Sequence, residues 1–171
     1  MMAGIFRERL LENRTAFVTG GGSGIGLRMA ERFAEHGARV MLAGRKADRL
    51  NAAVSAIRDA GGAAEAAALD VRDYAAVRTA LEKVHEQSGP IDILVCGAAG
   101  NFPAPVMGMS ANGFKAVVDI DLLGTFNVLR AAHAYLRKPG GLVVNISAPQ
   151  ALHPRALQSH VCAAKAGVDM L

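Results

Sequence analysis

Short apolar runs alternate along this chain with longer stretches in which apolar and polar positions recur at helical spacing. The short runs predict five strands, over 16–19, 39–43, 63–69, 91–96 and 142–146. The longer stretches predict helices over 24–36 and 47–60, one capped by Asp73 that reaches about residue 87, one capped by Ser110 that reaches residue 137, and a last one from about residue 157.

Strands that alternate with helices in this way are typical of βαβ units, because two parallel neighbours need a crossover connection. The predicted fold class is therefore α/β, a doubly wound parallel sheet of Rossmann-like architecture. We expect a single domain over residues 1–171. The helical pattern is still running at Leu171, so we also expect that domain to be incomplete on its C-terminal side, after the helix that follows the fifth strand.

The composition fits a folded domain and argues against several other classes of protein. The chain has 171 residues, of which 51% are hydrophobic and 20% charged, enough apolar material for a core and too much for disorder. No apolar stretch approaches the roughly 18–20 residues of a membrane span, and residues 1–14 lack the apolar region of a secretory signal. The expectation is a soluble intracellular protein in which Cys96 and Cys162 are reduced, buried thiols.

Charge and histidine spacing exclude two further kinds of site. The net charge of +4 would suit an anionic ligand, but no dense run of Lys or Arg appears, so nucleic acid is not an expected partner. The five histidines show no metal-ligand spacing, so no metal site is expected.

A glycine cluster follows the first predicted strand and leads directly into a helix. The run is Thr19-Gly20-Gly21-Gly22-Ser23-Gly24-Ile25-Gly26. Glycine lets the backbone turn sharply and lets a pyrophosphate approach, while free N–H groups and the helix dipole favour its negative charge. The dinucleotide-binding spacing GxGxxG is absent from the run. A purely structural turn has the same composition, so the glycines alone leave both interpretations open.

The run does contain Thr-Gly-x-x-x-Gly-x-Gly, which resembles the nucleotide loop of the short-chain dehydrogenase/reductase family. The resemblance covers essentially the whole chain. It implies an oxidoreductase whose nicotinamide cofactor is bound in part by Thr19, Gly20, Ser23, Gly24, Ile25 and Gly26.

The end of the second predicted strand, Leu42-Ala43-Gly44-Arg45, indicates which cofactor is used. Relatives that use NAD carry an acidic residue at the position of Gly44, where it accepts hydrogen bonds from the ribose 2′-hydroxyl. Here Arg45 follows, and Arg49 lies one helical turn further on. Because guanidinium complements a 2′-phosphate, we infer NADP(H), used as NADPH. The alternative is that both arginines are ordinary surface charges of the helix.

Three further matches lie in register along the chain. Asp70-Val71 resembles the pair that contacts adenine in relatives, and the turn containing Gly97 and Ala98 stands where relatives carry Asn-Asn-Ala-Gly. Lys165 matches the lysine of the Tyr-x-x-x-Lys helix, which in relatives binds the nicotinamide ribose and lowers the pKa of the neighbouring acid. The resemblance thus assigns all five of these residues to cofactor binding.

The positions that decide chemistry depart from the family pattern. Val161 stands where the tyrosine acid belongs, Ala148 stands where the carbonyl-orienting serine belongs, and Asp121 replaces an asparagine. Since general acid catalysis contributes about 10²–10⁴ in rate, a carbonyl reductase with these substitutions would be nearly inert. Either the chain is a catalytically silent nucleotide-binding module, or it reduces a substrate whose charge builds up elsewhere.

One branch of the family shares these departures. Segments 97–102 and 119–128, with the histidine at position 160, resemble 2,4-dienoyl-CoA reductases of the peroxisomal type. The resemblance implies NADPH-dependent reduction of a 2,4-dienoyl-CoA to a 3-enoyl-CoA in unsaturated fatty-acid β-oxidation. The dienolate formed is a weaker base than an alkoxide, and Lys165 can stabilise it. Asp121 is the candidate that handles the proton, provided that burial raises its pKa; the alternative is a carboxylate that only fixes its helix.

The same resemblance identifies a substrate side and an assembly. It points to Arg72 near the CoA phosphates, Phe102 beside the acyl chain, and Ser110 and Asn112 at the pocket mouth, although each of them has an alternative role in a loop or a cap. It also implies a homo-oligomer, dimer or tetramer, in the cytoplasm or the peroxisome. Another short-chain oxidoreductase with a different substrate is the remaining alternative.

Overall fold

The computed structural model describes residues 6–171. Its strands are β1 (Thr15–Thr19), β2 (Arg39–Gly44), β3 (Ala63–Ala68), β4 (Ile93–Cys96) and β5 (Leu142–Asn145). Its α-helices are α1 (Gly24–Glu35), α2 (Ala47–Asp59), α3 (Tyr74–Ser88), α4 (Ala111–Val118), α5 (Gly124–Ala132) and α6 (Ser159–Asp169). One π-helical turn, Asp119–Leu123, joins α4 to α5.

The five strands form one parallel sheet in the order β3-β2-β1-β4-β5. In its central register, Val18 lies between Leu42 and Val95. The strand order reverses between β1 and β4, so a crevice opens beyond the carboxyl ends of these two strands. The predicted doubly wound parallel sheet is thereby confirmed.

The core lies in two layers, one on each face of the sheet. Because side chains alternate along a strand, Phe17 of β1 faces one layer while its neighbours Ala16 and Val18 face the other. Apolar positions of α1 and α2 cover the Val18 face, and those of α3 and α5 cover the Phe17 face. This packing fixes the carboxyl edge of the sheet, where the candidate site lies.

The long helix predicted from Ser110 to residue 137 is shorter and interrupted. The π-helical turn divides it, and α5 ends at Ala132. It ends there because the following backbone pairs with Ile91: the Ile91 N–H donates to the Tyr135 carbonyl at 2.9 Å, and the Arg137 N–H donates to the Ile91 carbonyl at 2.9 Å. The same pairing occupies Ile91 outside the regular sheet, so β4 begins at Ile93.

The capping residues predicted at the helix ends are confirmed. The Asp73 carboxylate accepts the Ala76 N–H at 3.0 Å at the start of α3, and the Ser110 hydroxyl accepts the Gly113 N–H at 3.0 Å at the start of α4. Gly37, with φ of 95°, follows the first helix as predicted.

Both cysteines are free thiols. Cys96 is buried as predicted, and burial raises the pKa of its thiol to about 12. Cys162 is only half-buried.

Two further findings concern the described residues 6–171 as a set. None of their helices combines the length and the apolar character that a membrane crossing requires. No three side chains among their His, Cys, Asp and Glu residues converge closely enough to hold a metal ion.

Candidate functional site

The carboxyl ends of β1 and β4 are tied together by the hydroxyl of Thr19. This buried Oγ1 donates to the Val95 carbonyl at 3.3 Å and accepts the N–H groups of Gly97 at 3.0 Å and Ala98 at 3.3 Å. Thr19 therefore holds the turn after β4 in place. Its side chain faces this turn, while Ala98 borders the crevice.

The glycine loop packs so closely that Gly20 and Gly26 have no room for a side chain. A Cβ on Gly20 would lie 2.5 Å from the Gly97 carbonyl oxygen, and a Cβ on Gly26 would lie 2.6 Å from the Gly20 carbonyl oxygen. Gly20 and Gly24 have φ of 69° and 57°, in the left-handed region that favours glycine. The loop therefore packs closely against its neighbours, and its backbone, not side chains, borders the crevice at Gly20 and Gly22.

The first turn of α1 presents free N–H groups beside this loop. Ser23 precedes the helix in an extended conformation, its side chain makes no capping hydrogen bond, and the first turn contains no acidic residue. Because the first N–H groups of a helix lack internal partners and carry the positive end of its dipole, this end suits an anion. Ile25, 66% exposed, projects outward at the same turn.

A cavity of about 250 Å³ lies at the carboxyl edge of the sheet. It runs from the glycine loop across the ends of β2 and β3 to the turn after β4. The residues that line it are Gly20, Gly22, Ser23, Gly44, Arg45, Lys46, Arg49, Leu50, Leu69, Asp70, Val71, Ala98, Ala99 and Ile120. Seven of the thirteen residues predicted to bind a cofactor therefore border one cavity. Thr19, Gly24, Ile25, Gly26 and Gly97 support or flank it, and Lys165 is not part of its lining.

Three cations border the cavity where β2 leads into α2. Arg45, Lys46 and Arg49 all have exposed side chains there, while Gly44 contributes no side chain. The sequence analysis did not identify Lys46, although its position directly after Arg45 at the start of α2 was an available signal. This end of the cavity carries concentrated positive charge.

Asp70 and Arg72 form an ion pair on the far side of the cavity. Arg72 Nη2 lies 2.6 Å from Asp70 Oδ2, and the Arg72 N–H donates to Asp70 Oδ1 at 3.0 Å. The hydrogen bonds from Arg72 hold the pKa of the Asp70 carboxyl below its ordinary value, against the effect of partial burial. The Arg72 guanidinium, predicted near a substrate phosphate, is thus directed at Asp70.

Asp121 and Lys165 meet beneath the turn that follows β4. Asp121 is 1% exposed; its Oδ1 accepts the Gly100 N–H at 2.7 Å, and its Oδ2 lies 3.4 Å from Lys165 Nζ. Lys165 Nζ also donates to the Ile146 carbonyl at 2.8 Å. Burial raises the pKa of Asp121 above its ordinary value, and the opposing effects of the Gly100 N–H and the Lys165 ammonium do not cancel the shift. The Asp121 carboxyl group therefore keeps its proton to a higher pH than an exposed aspartate does.

The helix that carries Lys165 lacks a hydroxyl donor at the matching position. Val161 is buried one helical turn before Lys165, and Ala148 follows β5. His160, next to Val161, is fully buried and its ring packs on Phe102, with ring centroids 4.6 Å apart. The local chemistry is that of an acid, an ammonium and an imidazole.

Three of the four residues predicted for the substrate side, Phe102, Ser110 and Asn112, lie on the loop after β4 and at the start of α4, whereas Arg72 follows β3. Phe102 is 37% exposed and covers His160. Asn112 is exposed, and the Ser110 hydroxyl serves as the cap of α4. Phe102 and Asn112 thus offer free surface at this edge, and Ser110 positions the helix.

A model of the family described as short chain dehydrogenase matches residues 14–171. This chain belongs to the short-chain dehydrogenase family. Its fold closely matches that of the citronellol catabolism dehydrogenase of Pseudomonas aeruginosa PAO1, with a TM-score of 0.91 and 36% identity over 97% of this chain and 68% of the other.

Curated relatives of this chain include two named peroxisomal 2,4-dienoyl-CoA reductase [(3E)-enoyl-CoA-producing]. The protein from Rattus norvegicus is 43% identical over 169 residues, 98% of this chain, and the one from Arabidopsis thaliana is 42% identical over 173 residues, 96% of this chain. The chain spans 58% of the length of each. The family resemblance expected from the sequence is thereby confirmed.

Proposed function

We propose that this chain carries the nucleotide-binding and proton-handling part of an NADPH-dependent 2,4-dienoyl-CoA reductase. The observation that carries the proposal is the buried carboxyl group of Asp121, which lies 3.4 Å from Lys165 Nζ. The helix that carries Lys165 has Val161 in place of an acid. Donors that a ketone reduction needs are absent from these positions, whereas groups that can stabilise a delocalised anion are present. The names of the rat and Arabidopsis relatives support the same reaction.

The backbone and the charges that border the cavity support the binding of NADPH. Gly20 and Gly26 pack closely because they have no side chains, and a pyrophosphate can therefore approach the backbone of the loop. The first turn of α1 has no side-chain cap, so its N–H groups favour the negative charge of a pyrophosphate. Arg45, Lys46 and Arg49 suit a 2′-phosphate, for which a cation is the natural complement. Asp70 and Val71 would border the adenine.

Bound NADPH supplies a hydride to the distal carbon of the conjugated thioester. The residues of this chain then stabilise the product side of that step: the Lys165 ammonium, held by the Ile146 carbonyl, lowers the energy of nearby negative charge. Asp121, with its raised pKa, retains a proton that can pass to carbon directly or through water. Proton delivery at the carbon next to the thioester gives a 3-enoyl-CoA.

Arg72, Phe102, Ser110 and Asn112 are proposed to border the substrate. Phe102 offers an exposed apolar ring to an acyl chain. Arg72 would reach a CoA phosphate only by leaving Asp70, because three hydrogen bonds from its side chain now end on that carboxylate. A CoA ester would therefore break an ion pair on binding.

The test is NADPH oxidation with three acceptors, a 2,4-dienoyl-CoA, a 2-enoyl-CoA and a simple ketone, using the longest natural chain that carries this sequence. Turnover with the diene alone is expected. Turnover with another acceptor would favour a different short-chain oxidoreductase. Saturable NADPH binding without turnover would favour a silent nucleotide-binding module.

Asp121→Asn isolates the proton-handling role. We expect kcat with the diene to fall by about 10²-fold, the usual contribution of a general acid, while the Kd for NADPH stays unchanged. Because Asp121 is active as the protonated form, wild-type kcat should also fall as pH rises through its raised pKa, and this limb should vanish in the variant. Asp119→Asn, in the same π-helical turn but paired with Lys115 at the surface, is the control. Unchanged turnover in Asp121→Asn would remove this role.

We also propose a homo-oligomer and a cytoplasmic or peroxisomal location. Phe114, Leu123 and Phe126 on and between α4 and α5 are large apolar side chains that remain exposed, which supports an interface between copies. Light scattering of the purified protein tests the assembly, and a purely monomeric mass would contradict it. The names of the relatives support the peroxisome, and imaging of a tagged protein in its host tests that location.

A further inference from the structure

Unpartnered polar atoms are concentrated near Lys165. Within residues 6–171, buried side-chain nitrogen or oxygen atoms without a hydrogen-bond partner occur on His85, Asn145, Ser147 and His160. Asn145 and Ser147 flank Ile146, whose carbonyl accepts a hydrogen bond from the Lys165 ammonium, and His160 is the second residue of α6, the helix that carries Lys165. Because buried polar groups nearly always have partners, this concentration indicates groups available to a ligand.

His160 has the greatest unused capacity among them. Its side chain is 0% exposed, and both Nδ1 and Nε2 lack a partner in the described part of the chain. A neutral imidazole carries one N–H in either tautomer, so a donor is present in this position whichever nitrogen is protonated. An imidazole buried without a partner is unfavourable in the absence of a compensating role.

Phe102 is the side chain that stands on the imidazole ring. The two rings are tilted by 53° with centroids 4.6 Å apart, and Phe102 itself is partly exposed. On its other side, Phe102 meets the start of α4, where a Cβ on Gly113 would lie 3.1 Å from Phe102 Cζ. A ligand that approaches the imidazole from this side must displace Phe102.

His160 also belongs to the charged cluster of the site. Burial raises the pKa of Asp121, and His160 is close enough to be one of the charges that oppose the shift. The donors on either side are already engaged: the Gly100 N–H with Asp121, and the Lys165 ammonium with the Ile146 carbonyl. The imidazole N–H is therefore the uncommitted donor next to the vacant acid position of Val161.

We infer that His160 is a further catalytic residue, which donates a hydrogen bond to the thioester oxygen of the substrate once the acyl chain has displaced Phe102. The inference rests on the proposed function, in which negative charge reaches that oxygen as hydride adds to the distal carbon. No proton leaves the imidazole in this step. Its N–H takes the role that a hydroxyl donor has in a carbonyl reductase.

The first test compares His160→Leu, which removes the donor, with His160→Gln, which retains an N–H. His160→Leu should lower kcat for a 2,4-dienoyl-CoA by about 10²-fold with an unchanged Kd for NADPH, as loss of one oxyanion donor does. His160→Gln should recover at least part of that rate. His85→Leu is the matched control, because His85 also has an unpartnered ring nitrogen and packs on an aromatic ring, that of Tyr135. Wild-type kcat in His160→Leu would overturn the inference.

The second test needs neither turnover nor a variant. In the wild-type protein with NADP⁺, addition of hexanoyl-CoA should shift the ¹⁵N–H resonance of the His160 imidazole and leave that of His85 in place. No shift at saturating hexanoyl-CoA would overturn the inference, whatever the turnover. A shift in a protein that fails to reduce the diene would support the thioester contact and contradict the proposed reaction, so the two failures are distinguishable.

Discussion

The absence of a Cβ at Gly20 allows the glycine loop and the turn after β4 to lie in contact above the crevice. The position of a Cβ on Gly20, 2.5 Å from the Gly97 carbonyl oxygen, is already excluded by sterics, and the residue also has a positive φ. Gly24 has a positive φ as well, but no atom lies within 4 Å of where its Cβ would be. The two glycines therefore separate the cost of backbone strain from that of a clash.

Gly20→Ala should lower the free energy of unfolding by about 2 kcal/mol more than Gly24→Ala, because only the former combines a left-handed φ with a clash against backbone. The Kd for NADPH should rise at least tenfold in Gly20→Ala, because relief of the clash moves the loop. Urea unfolding and isothermal titration measure both quantities. Equal stability of the two variants would contradict this account.

At this scale the sequence predicts residue types better than contacts. The motif identifies Arg45 and Arg49, both of which border the cavity. The pattern does not predict that Arg72 turns back onto Asp70, because two residues of opposite charge two positions apart can either pair or face separate ligands. The pattern also leaves Lys46 unassigned, because this residue lies just outside the motif, at the position that precedes α2.

Among the elements, α5 holds the loop that follows β3. The buried Asn127 carboxamide donates to the Val71 carbonyl at 3.0 Å and to the Arg72 carbonyl at 3.3 Å. A Cβ on Gly124 would lie 2.5 Å from Val71 Cγ2, so helix and loop are in close contact. The side of the cavity that Asp70 and Val71 form is thus positioned by a helix that does not border it.

Asn127→Ala should lower the free energy of unfolding by about 1–3 kcal/mol, since the buried Val71 carbonyl and the partly buried Arg72 carbonyl lose a donor. We expect the Kd for NADPH to rise several-fold while the unfolding transition stays cooperative. Arg130→Ala, an exposed position on the same helix, is the control and should leave cofactor affinity unchanged. An Asn127→Ala variant that bound NADPH as wild type does would show that the loop keeps its shape without α5.

The π-helical turn explains where the prediction of elements fell short. The sequence Asp-Ile-Asp-Leu-Leu continues a helical pattern, so nothing in it marks a change of hydrogen bonding. The turn accompanies the burial of Asp121, whose carboxylate reaches the Gly100 N–H on a loop 21 residues earlier. Such a turn depends on tertiary contacts, and these are not visible in local propensity.

Across the whole molecule, Asp92 joins three separate parts of the chain. Its buried carboxylate accepts the Thr15 N–H at 2.9 Å and Arg14 Nη1 at 2.7 Å, and it also pairs with Arg137 beyond α5. Burial opposes ionisation, but the hydrogen bonds from Arg137, Thr15 and Arg14 together hold the pKa of Asp92 below its ordinary value. The Asp92 carboxylate therefore joins the amino ends of β1 and β4 to the segment that precedes β5, at the edge of the sheet opposite the candidate site.

Asp92→Asn should lower the free energy of unfolding at pH 7 by about 3 kcal/mol, because two arginines lose their buried partner. A depressed pKa contributes stability above the unfolded value of about 3.9, and this contribution is lost as pH falls through the folded value. Urea unfolding at a series of pH values should therefore show a smaller acid loss in the variant than in wild type. Asp59→Asn, at an exposed position, is the control, and identical pH profiles for Asp92→Asn and wild type would contradict the prediction.

The overall architecture was predictable because it depends on patterns that recur along the chain. The apolar run of β1 and the cap at Asp73 can be identified from neighbouring residues in the sequence, and the folded structure retains both. Asp92 was not singled out, because its partners lie 45 and 78 residues away in sequence. Likewise, the contact of His160 with Phe102 exists only after the loop beyond β4 has folded back onto α6.

We propose that NADPH binds along the carboxyl edge of this sheet with its 2′-phosphate against Arg45, Lys46 and Arg49. Calorimetric titration with NADPH and with NADH, in wild type and in Arg45→Ala, measures whether it does. We expect saturable binding of NADPH, about tenfold or more tighter than that of NADH, because charge-assisted hydrogen bonds reach the 2′-phosphate, and we expect Arg45→Ala to lose most of that preference. No saturable signal with NADPH, or equal affinity for the two cofactors in wild type, would contradict it.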